Sequence, residues 1–129
     1  MTLKEAEKVV GAAKAKAIEM GLAVSIAVVD GRGDLVALAK LDGARYFTPD
    51  LARGKAIASG TMGRPSAALA EEDGSAIFQT INEMHQGRMV FSQGAVPVTK
   101  DGRLIGAVGV SGAPADLDEE IAIAGAASL

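Results

Sequence analysis

Apolar residues in the first twenty positions recur at intervals of three and four, which is typical of a helix that buries one face. Thr2 and Glu5 match a capping box at its start, and Gly21 is a typical helix stop. We therefore predict a helix that ends at about residue 20. Its buried stripe is expected to comprise Leu3, Ala6, Val10, Ala13, Ala17 and Met20.

Two apolar runs follow this helix, at residues 22–29 and 35–41. The sequence between them, Asp-Gly-Arg-Gly-Asp, contains the residues that tight turns require. The pattern predicts a first β-hairpin. Asp30 stands at the end of the first strand, where an aspartate before a glycine commonly accepts backbone N–H groups of the turn.

The middle of the chain is predicted to be helical with an interruption. Thr48 is a good N-cap and a proline follows it, so a second helix is expected to run to about residue 59. Glycines and a proline punctuate residues 60–74, where 66–72 form a short helical candidate. Ser75 is predicted to cap a further helix that ends at about residue 84.

The C-terminal third is predicted to contain three strands and a helix. A second hairpin has strands at 95–98 and 104–110, joined by Lys-Asp-Gly-Arg. A short strand at 88–92 leads into this hairpin, and Asp116 is predicted to cap the final helix. Together with the first hairpin, this gives five strands.

Glycines interrupt the last of these strands. Glycine weakens a strand unless another group must come close to its backbone. We therefore expect a helix, another subunit or a ligand to approach Gly106, Gly109 and Gly112. At the end of the strand, the Ser111 hydroxyl and free backbone N–H groups are expected to form a small polar nest.

The grouping of strands into hairpins, without alternating β-α units, predicts an antiparallel sheet covered by helices. The fold class is therefore α+β. A chain of 129 residues is the size of one domain, so residues 1–129 are expected to form a single unit with one fold.

Composition narrows the function classes. The net charge is −3 and the aromatic residues are three Phe and one Tyr, which disfavours nucleic-acid binding. The absence of cysteine excludes disulfides and thiol nucleophiles. No segment resembles a signal peptide or a membrane span, so we expect a cytoplasmic protein without a membrane partner.

Several motifs along the chain resemble the GlcG/HbpS family of haem-binding or haem-degrading domains. They lie at residues 28–36, 40–44, 94–97 and 106–112. The resemblance implies a profilin-like three-layer sandwich, in which helices flank both faces of a five-stranded antiparallel sheet. It also implies homo-oligomers from dimers up to octamers, a small-molecule ligand, and a likeness to the C-terminal domain of PduO-type cobalamin adenosyltransferases.

The sequence does not identify a cofactor, and haem is the candidate that the resemblance implies. Family members that bind haem are expected to carry a histidine near the first helix, and residues 3–20 contain none. The only histidine is His85. It is a candidate haem or metal ligand or a general acid/base, and the alternative is a solvated residue at a helix end, where its cation suits the dipole.

The remaining candidates are cations and positions where backbone is exposed. Arg64 precedes a predicted helix start, and a helix start beside a guanidinium group attracts phosphate or carboxylate. The alternative is that this segment is only a capped turn. Lys55 is expected to face either solvent or the space between helix and sheet. The ligand-binding candidates are thus Arg45, Lys55, Arg64, Gly94, Gly109 and Ser111.

Three functional hypotheses follow. The first is an oligomeric small-molecule-binding protein whose ligand is haem or another tetrapyrrole. The second is an enzyme that performs proton transfer or isomerisation on a small carboxylated or oxygenated metabolite, with Asp30 or His85 as acid/base and Arg64 or Arg45 binding the anion. The third is an assembly module without a ligand, whose small apolar residues form subunit contacts.

Overall fold

The computed structural model describes all 129 residues, which form five helices and four strands. No helix combines the length and the apolar character needed to cross a membrane. The elements in chain order are α1 (Leu3–Glu19), β1 (Ser25–Asp30), β2 (Leu35–Lys40), α2 (Thr48–Met62), α3 (Ser66–Ala70), α4 (Ala76–Met84), β3 (Ala95–Lys100), β4 (Arg103–Ser111) and α5 (Ala115–Ala126).

The four strands form one antiparallel sheet in the order β2-β1-β4-β3. Both predicted hairpins are present, and they join through their inner strands. β1 pairs with β4 from Ser25 opposite Ser111 to Asp30 opposite Gly106. The centre of the sheet therefore depends on pairing between residues that are far apart in the sequence.

The strand predicted at residues 88–92 is wrong, and the sheet has four strands where five were expected. The backbone groups of this segment have partners outside the sheet. Val90 donates its N–H to the Gly54 carbonyl in α2 (3.1 Å). The Asn82 side chain accepts from the Met89 N–H (2.9 Å) and donates to the Met89 carbonyl (3.2 Å). The segment thus lies against α2 and α4 and adds no rung to the sheet.

Two predicted helix caps are also wrong. Thr48 is the first residue of α2, and its buried Oγ1 donates to the Arg45 carbonyl (2.7 Å) and lies 2.8 Å from Ser25 Oγ. α5 begins at Ala115, because the chain enters the helix at Pro114 and no side chain caps it. The predicted caps Thr2 and Ser75 are confirmed by hydrogen bonds to backbone N–H groups.

Apolar cores lie on both faces of the sheet, which confirms the α+β architecture with helices on each side. One core packs Ile26, Val28 and Val108 against α1 and α5. The other packs Val29 and Ala107 against α2, α3 and α4. β-branched residues suit the first face, because they fill a pleated surface well, while small residues on the second face let α2 come close.

Gly109 is the point where α2 contacts the sheet most closely. A Cβ at this position would collide with the Ala52 carbonyl and would lie 2.8 Å from the Ala56 nitrogen. The predicted close approach at this glycine is confirmed, and of the three alternatives it is a helix that approaches. A Cβ added to Gly106 would lie closest to the Val29 backbone, and one added to Gly112 would lie closest to the Ala23 backbone. Other segments of the same chain therefore approach both glycines.

The start of α1 is tied to the second hairpin through Glu5. Its Oε1 accepts from the Thr2 N–H (2.8 Å), and its Oε2 accepts from Lys100 Nζ (2.9 Å). The hydrogen bond from Lys100, followed by those from Thr2, lowers the pKa of Glu5 to about 2. The same contact raises the pKa of Lys100. A single carboxylate therefore completes the capping box and joins α1 to the end of β3.

Replacing Gly109 by alanine is expected to lower the free energy of unfolding by about 2–3 kcal/mol, because the methyl group overpacks the contact with α2. Urea unfolding measures the change. Gly11→Ala is the matched control, since nothing lies within 4 Å of its added Cβ. In the exposed interior of α1 this control should raise stability by about 0.5–1 kcal/mol. Equal effects of the two substitutions would contradict the close contact.

The contribution of Glu5 to stability is expected to depend on pH. Because its folded pKa lies below the ordinary value of 4.5, the ionised group stabilises the fold above about pH 4.5, and this stabilisation is lost as the pH falls towards 2. Urea unfolding should show Glu5→Gln less stable than wild type near pH 6, with a difference that shrinks on acidification. Glu7, which forms no ion pair, provides the control Glu7→Gln. A Glu5→Gln difference that stays constant with pH would refute the linkage.

Candidate functional site

The larger of two cavities, which we call the α1 cleft, has a volume of about 550 Å³. It lies where the end of α1 meets the segment entering β1 and the end of β2. Lys14, Lys40 and Asp42 provide its charged groups. Its apolar walls are formed by Ile18, Leu22, Ala23, Ala39 and Leu41.

Backbone hydrogen bonds hold the chain segments that line the α1 cleft. Gly21 has a φ of +70°, and the chain reverses there so that Leu22 donates its N–H to the Ala17 carbonyl (2.9 Å). Leu41 then donates to the Val24 carbonyl (3.0 Å), which holds the end of β2 beside the segment entering β1. The combination of apolar walls with two ammonium groups suits an apolar molecule that carries carboxylates.

Lys55 belongs to a buried ion pair. Its Nζ donates to Asp118 Oδ2 (3.3 Å) and to the Val110 carbonyl (3.0 Å), while Asp118 Oδ1 accepts from the Ala113 N–H (2.9 Å). Burial raises the pKa of Asp118, although the Ala113 N–H and Lys55 both favour the ionised form. The pair connects α2, β4 and α5, and it lines neither cavity.

Gly94 lies against this ion pair, with a φ of +138°. A Cβ there would lie 2.7 Å from the Val110 carbonyl and 2.8 Å from Lys55 Nζ. Ser111 follows Val110 in the chain and is buried as well. The structure therefore brings Lys55, Gly94 and Ser111 into one region, beside the contact of Gly109 with α2.

Asp118 is a residue of this region that the sequence reasoning did not select as a site residue. The feature that could have identified Asp118 from the sequence is its position on the helix α5. It precedes Ile121, Ala122 and Gly125 by three, four and seven residues, and all four are buried. A carboxylate on the apolar stripe of a helix needs a partner, because an unpaired buried charge is strongly destabilising.

Asp30 and His85 lie in different elements, and neither lines a cavity. Asp30 Oδ1 accepts from the N–H groups of Arg32 (2.9 Å) and Asp34 (3.0 Å), which makes it a former of the β1–β2 turn. His85 is the C-cap of α4, and its Nδ1 lies 2.9 Å from the Ile81 carbonyl. Since a carbonyl oxygen only accepts, Nδ1 is the donor in this contact.

Arg45 and Arg64 lie before and after α2, and their side chains are exposed. A helix of 15 residues separates them by roughly 22 Å, so they do not bind one small anion together. Each interacts with its surroundings through its backbone carbonyl, which accepts from Thr48 and from Ser59 respectively. No group of three or more His, Asp or Glu side chains is arranged to bind a metal ion.

Residues 1–127 match a family described as haem degrading protein HbpS-like. The chain belongs to this family. Protein GlcG from Escherichia coli is 33% identical to it over 118 residues, which are 82% of this chain and 77% of GlcG. The GlcG/HbpS resemblance in the sequence is thereby confirmed.

Solved structures of HbpS-like proteins share the fold. The crystal structure of a double mutant of HbpS from Streptomyces reticuli is 36% identical and matches with a TM-score of 0.86, covering 100% of this chain and 86% of that chain. The crystal structure of a PduOC–haem complex matches with a TM-score of 0.87 over 100% of this chain and 94% of that chain. Its identity is 24%, so its likeness concerns the fold.

Removing Lys55 is expected to leave Asp118 buried without its cation. We expect Lys55→Met to lower the free energy of unfolding by about 3–5 kcal/mol. The double variant Lys55→Met/Asp118→Asn should lose less than the sum of the single variants, with a coupling of about 1–3 kcal/mol in urea unfolding. Arg32→Met, which breaks an exposed pair with Asp34, should cost less than about 1 kcal/mol. Additive single effects would show that the buried pair is not coupled.

Proposed function

We propose that this protein is an oligomeric binding protein for haem or another tetrapyrrole, and that the ligand occupies the α1 cleft. The observation that carries the proposal is the pairing of apolar walls with Lys14 and Lys40 in a cleft of about 550 Å³. Ligand pockets of this kind have volumes of about 300–1,000 Å³ and a few placed polar groups. Membership of the HbpS-like family supports the choice of ligand.

The residues of the α1 cleft suit the macrocycle and carboxylates of a haem better than its iron. The apolar walls suit the macrocycle, and two lysines suit its two carboxylates. The lining contains no histidine, methionine or tyrosine and therefore offers none of the usual ligands to iron. His85 caps α4, whose Phe78 and Ile81 pack on the α2 side of the sheet, away from α1. We therefore propose that the macrocycle and its carboxylates carry the binding.

Exposed apolar side chains support the oligomeric part of the proposal. Leu35 and Leu38 are exposed on β2, which is an edge strand of the sheet. Tyr46 is 88% exposed, and Ile77 and Met84 are exposed on α4. An unpaired edge strand that exposes apolar side chains is a ready surface for pairing with another chain, and a second copy of this chain is the simplest partner.

The test compares haemin with metal-free protoporphyrin. Wild-type protein should bind both with dissociation constants within about threefold, since no iron ligand lines the cleft. In the variant Lys14→Ala/Lys40→Ala, both constants should rise about tenfold, because two exposed ion pairs together contribute about 1.4 kcal/mol. Absorption and fluorescence titrations measure the constants, and native mass spectrometry reports the oligomer and its stoichiometry.

The matched control is Lys4→Ala/Lys8→Ala. It also removes two positive charges, but from residues of α1 that do not line the cleft. It should bind both ligands as wild type does, and so should His85→Ala. A haemin spectrum that depends on His85, with no binding of protoporphyrin, would place the ligand elsewhere and overturn the site. Absence of saturable binding by either compound would overturn the function.

A further inference from the structure

A second cavity lies on the other side of the molecule, between α2 and the segment at residues 87–90. We call it the arginine cavity. Its volume is about 260 Å³, and Arg53 and Arg88 line it together with Asp50. Since a water molecule occupies about 30 Å³ of liquid, the cavity has the volume of roughly nine waters, which is too small for a tetrapyrrole.

The charged groups of the arginine cavity form no ion pairs within the chain. None of the ion pairs of the protein includes Arg53, Arg88 or Asp50. Arg53 Nε is buried without any hydrogen-bond acceptor. Arg88 Nε donates to the His85 carbonyl (3.0 Å). The other two guanidinium nitrogens of Arg88 still have N–H groups available to a ligand. A buried donor without an acceptor is destabilising, and in native proteins such a group is nearly always satisfied by protein, ordered water or a bound ion.

The two arginines are held near one another by rigid backbone contacts. Arg53 precedes Gly54, and a Cβ on Gly54 would lie 2.9 Å from the Arg88 carbonyl and would collide with Val90. The hydrogen bond from the Val90 N–H to the Gly54 carbonyl fixes the same contact. The segment carrying Arg88 is thus packed directly on the α2 backbone, which preorganises the cavity.

We propose that the arginine cavity binds a small oxyanion, a carboxylate or a phosphate, between Arg53 and Arg88. The two guanidinium groups and one carboxylate leave the cavity one positive charge, and guanidinium groups match both anions in geometry. The site is separate from the α1 cleft and does not depend on tetrapyrrole binding. Neither arginine is a residue that the sequence patterns select.

Isothermal titration with succinate and, separately, with inorganic phosphate at low ionic strength tests the proposal on the full chain without added tetrapyrrole. Wild type should bind at least one of the two anions saturably. Arg53→Gln should weaken that binding at least tenfold, and Arg88→Gln should weaken it severalfold. Arg53→Lys should fall between wild type and Arg53→Gln, because lysine keeps the charge and loses the planar fork.

The control Arg103→Gln removes an exposed arginine that lines neither cavity, and it should bind the anion as wild type does. Circular dichroism checks that each variant is folded. Binding of succinate alone assigns a carboxylate site, and binding of phosphate alone assigns a phosphate site. The proposal fails if neither anion binds saturably, or if Arg53→Gln and Arg53→Lys both retain wild-type affinity.

Discussion

The close approach of α2 to its neighbours is the constraint on which the rest of this structure depends. On one side, Gly109 lets the α2 backbone contact β4 without an intervening side chain. On another side, Gly54 lets the segment of residues 88–90 lie directly on the helix. The buried pair of Lys55 and Asp118 ties the same helix to α5. Backbone contacts and one ion pair therefore fix α2 in addition to the apolar core around Ile57, Leu69 and Phe78.

The two cavities of the molecule differ in how they form. The α1 cleft forms where elements diverge, at the end of α1 and beyond the last pairing of β1 with β2. Its walls are apolar and its charges lie at exposed positions. The arginine cavity forms where elements converge on α2, and the Arg53 Nε that lines it is buried. The first suits a large apolar body and the second a small anion, so the two can be distinguished by ligand size.

Local chemistry made much of the fold predictable from the sequence. Thr2 with Glu5, Ser75, and the two turns containing Asp-Gly act over a few residues, so their patterns indicate structure without knowledge of the rest of the chain. The strand predicted at residues 88–92 was wrong because its composition suits a strand, while long-range contacts with Gly54 and Asn82 take its backbone groups. The strand propensity of a segment does not decide its structure where tertiary contacts supply the hydrogen bonds of its backbone.

The candidate sites were less predictable, since cavities depend on which distant residues meet. The sequence left Lys55 facing either solvent or the space between helix and sheet, and its partner Asp118 became apparent only from the fold. The grouping of Arg53 with Arg88 depends on a contact at a glycine that no local pattern marks.

The pairing of β1 with β4 also bears on how the chain reaches its fold during synthesis. Ser25 pairs with Ser111, so the central rungs of the sheet cannot form until nearly the whole chain has left the ribosome. At about 5–20 residues per second, the first hairpin waits for several seconds without its central neighbour. A two-stranded hairpin is marginal in water by itself, and its apolar residues stay open to chaperones or to other nascent copies during this interval. The topology thereby leaves the apolar residues of the first hairpin uncovered until β4 is available to pair with β1.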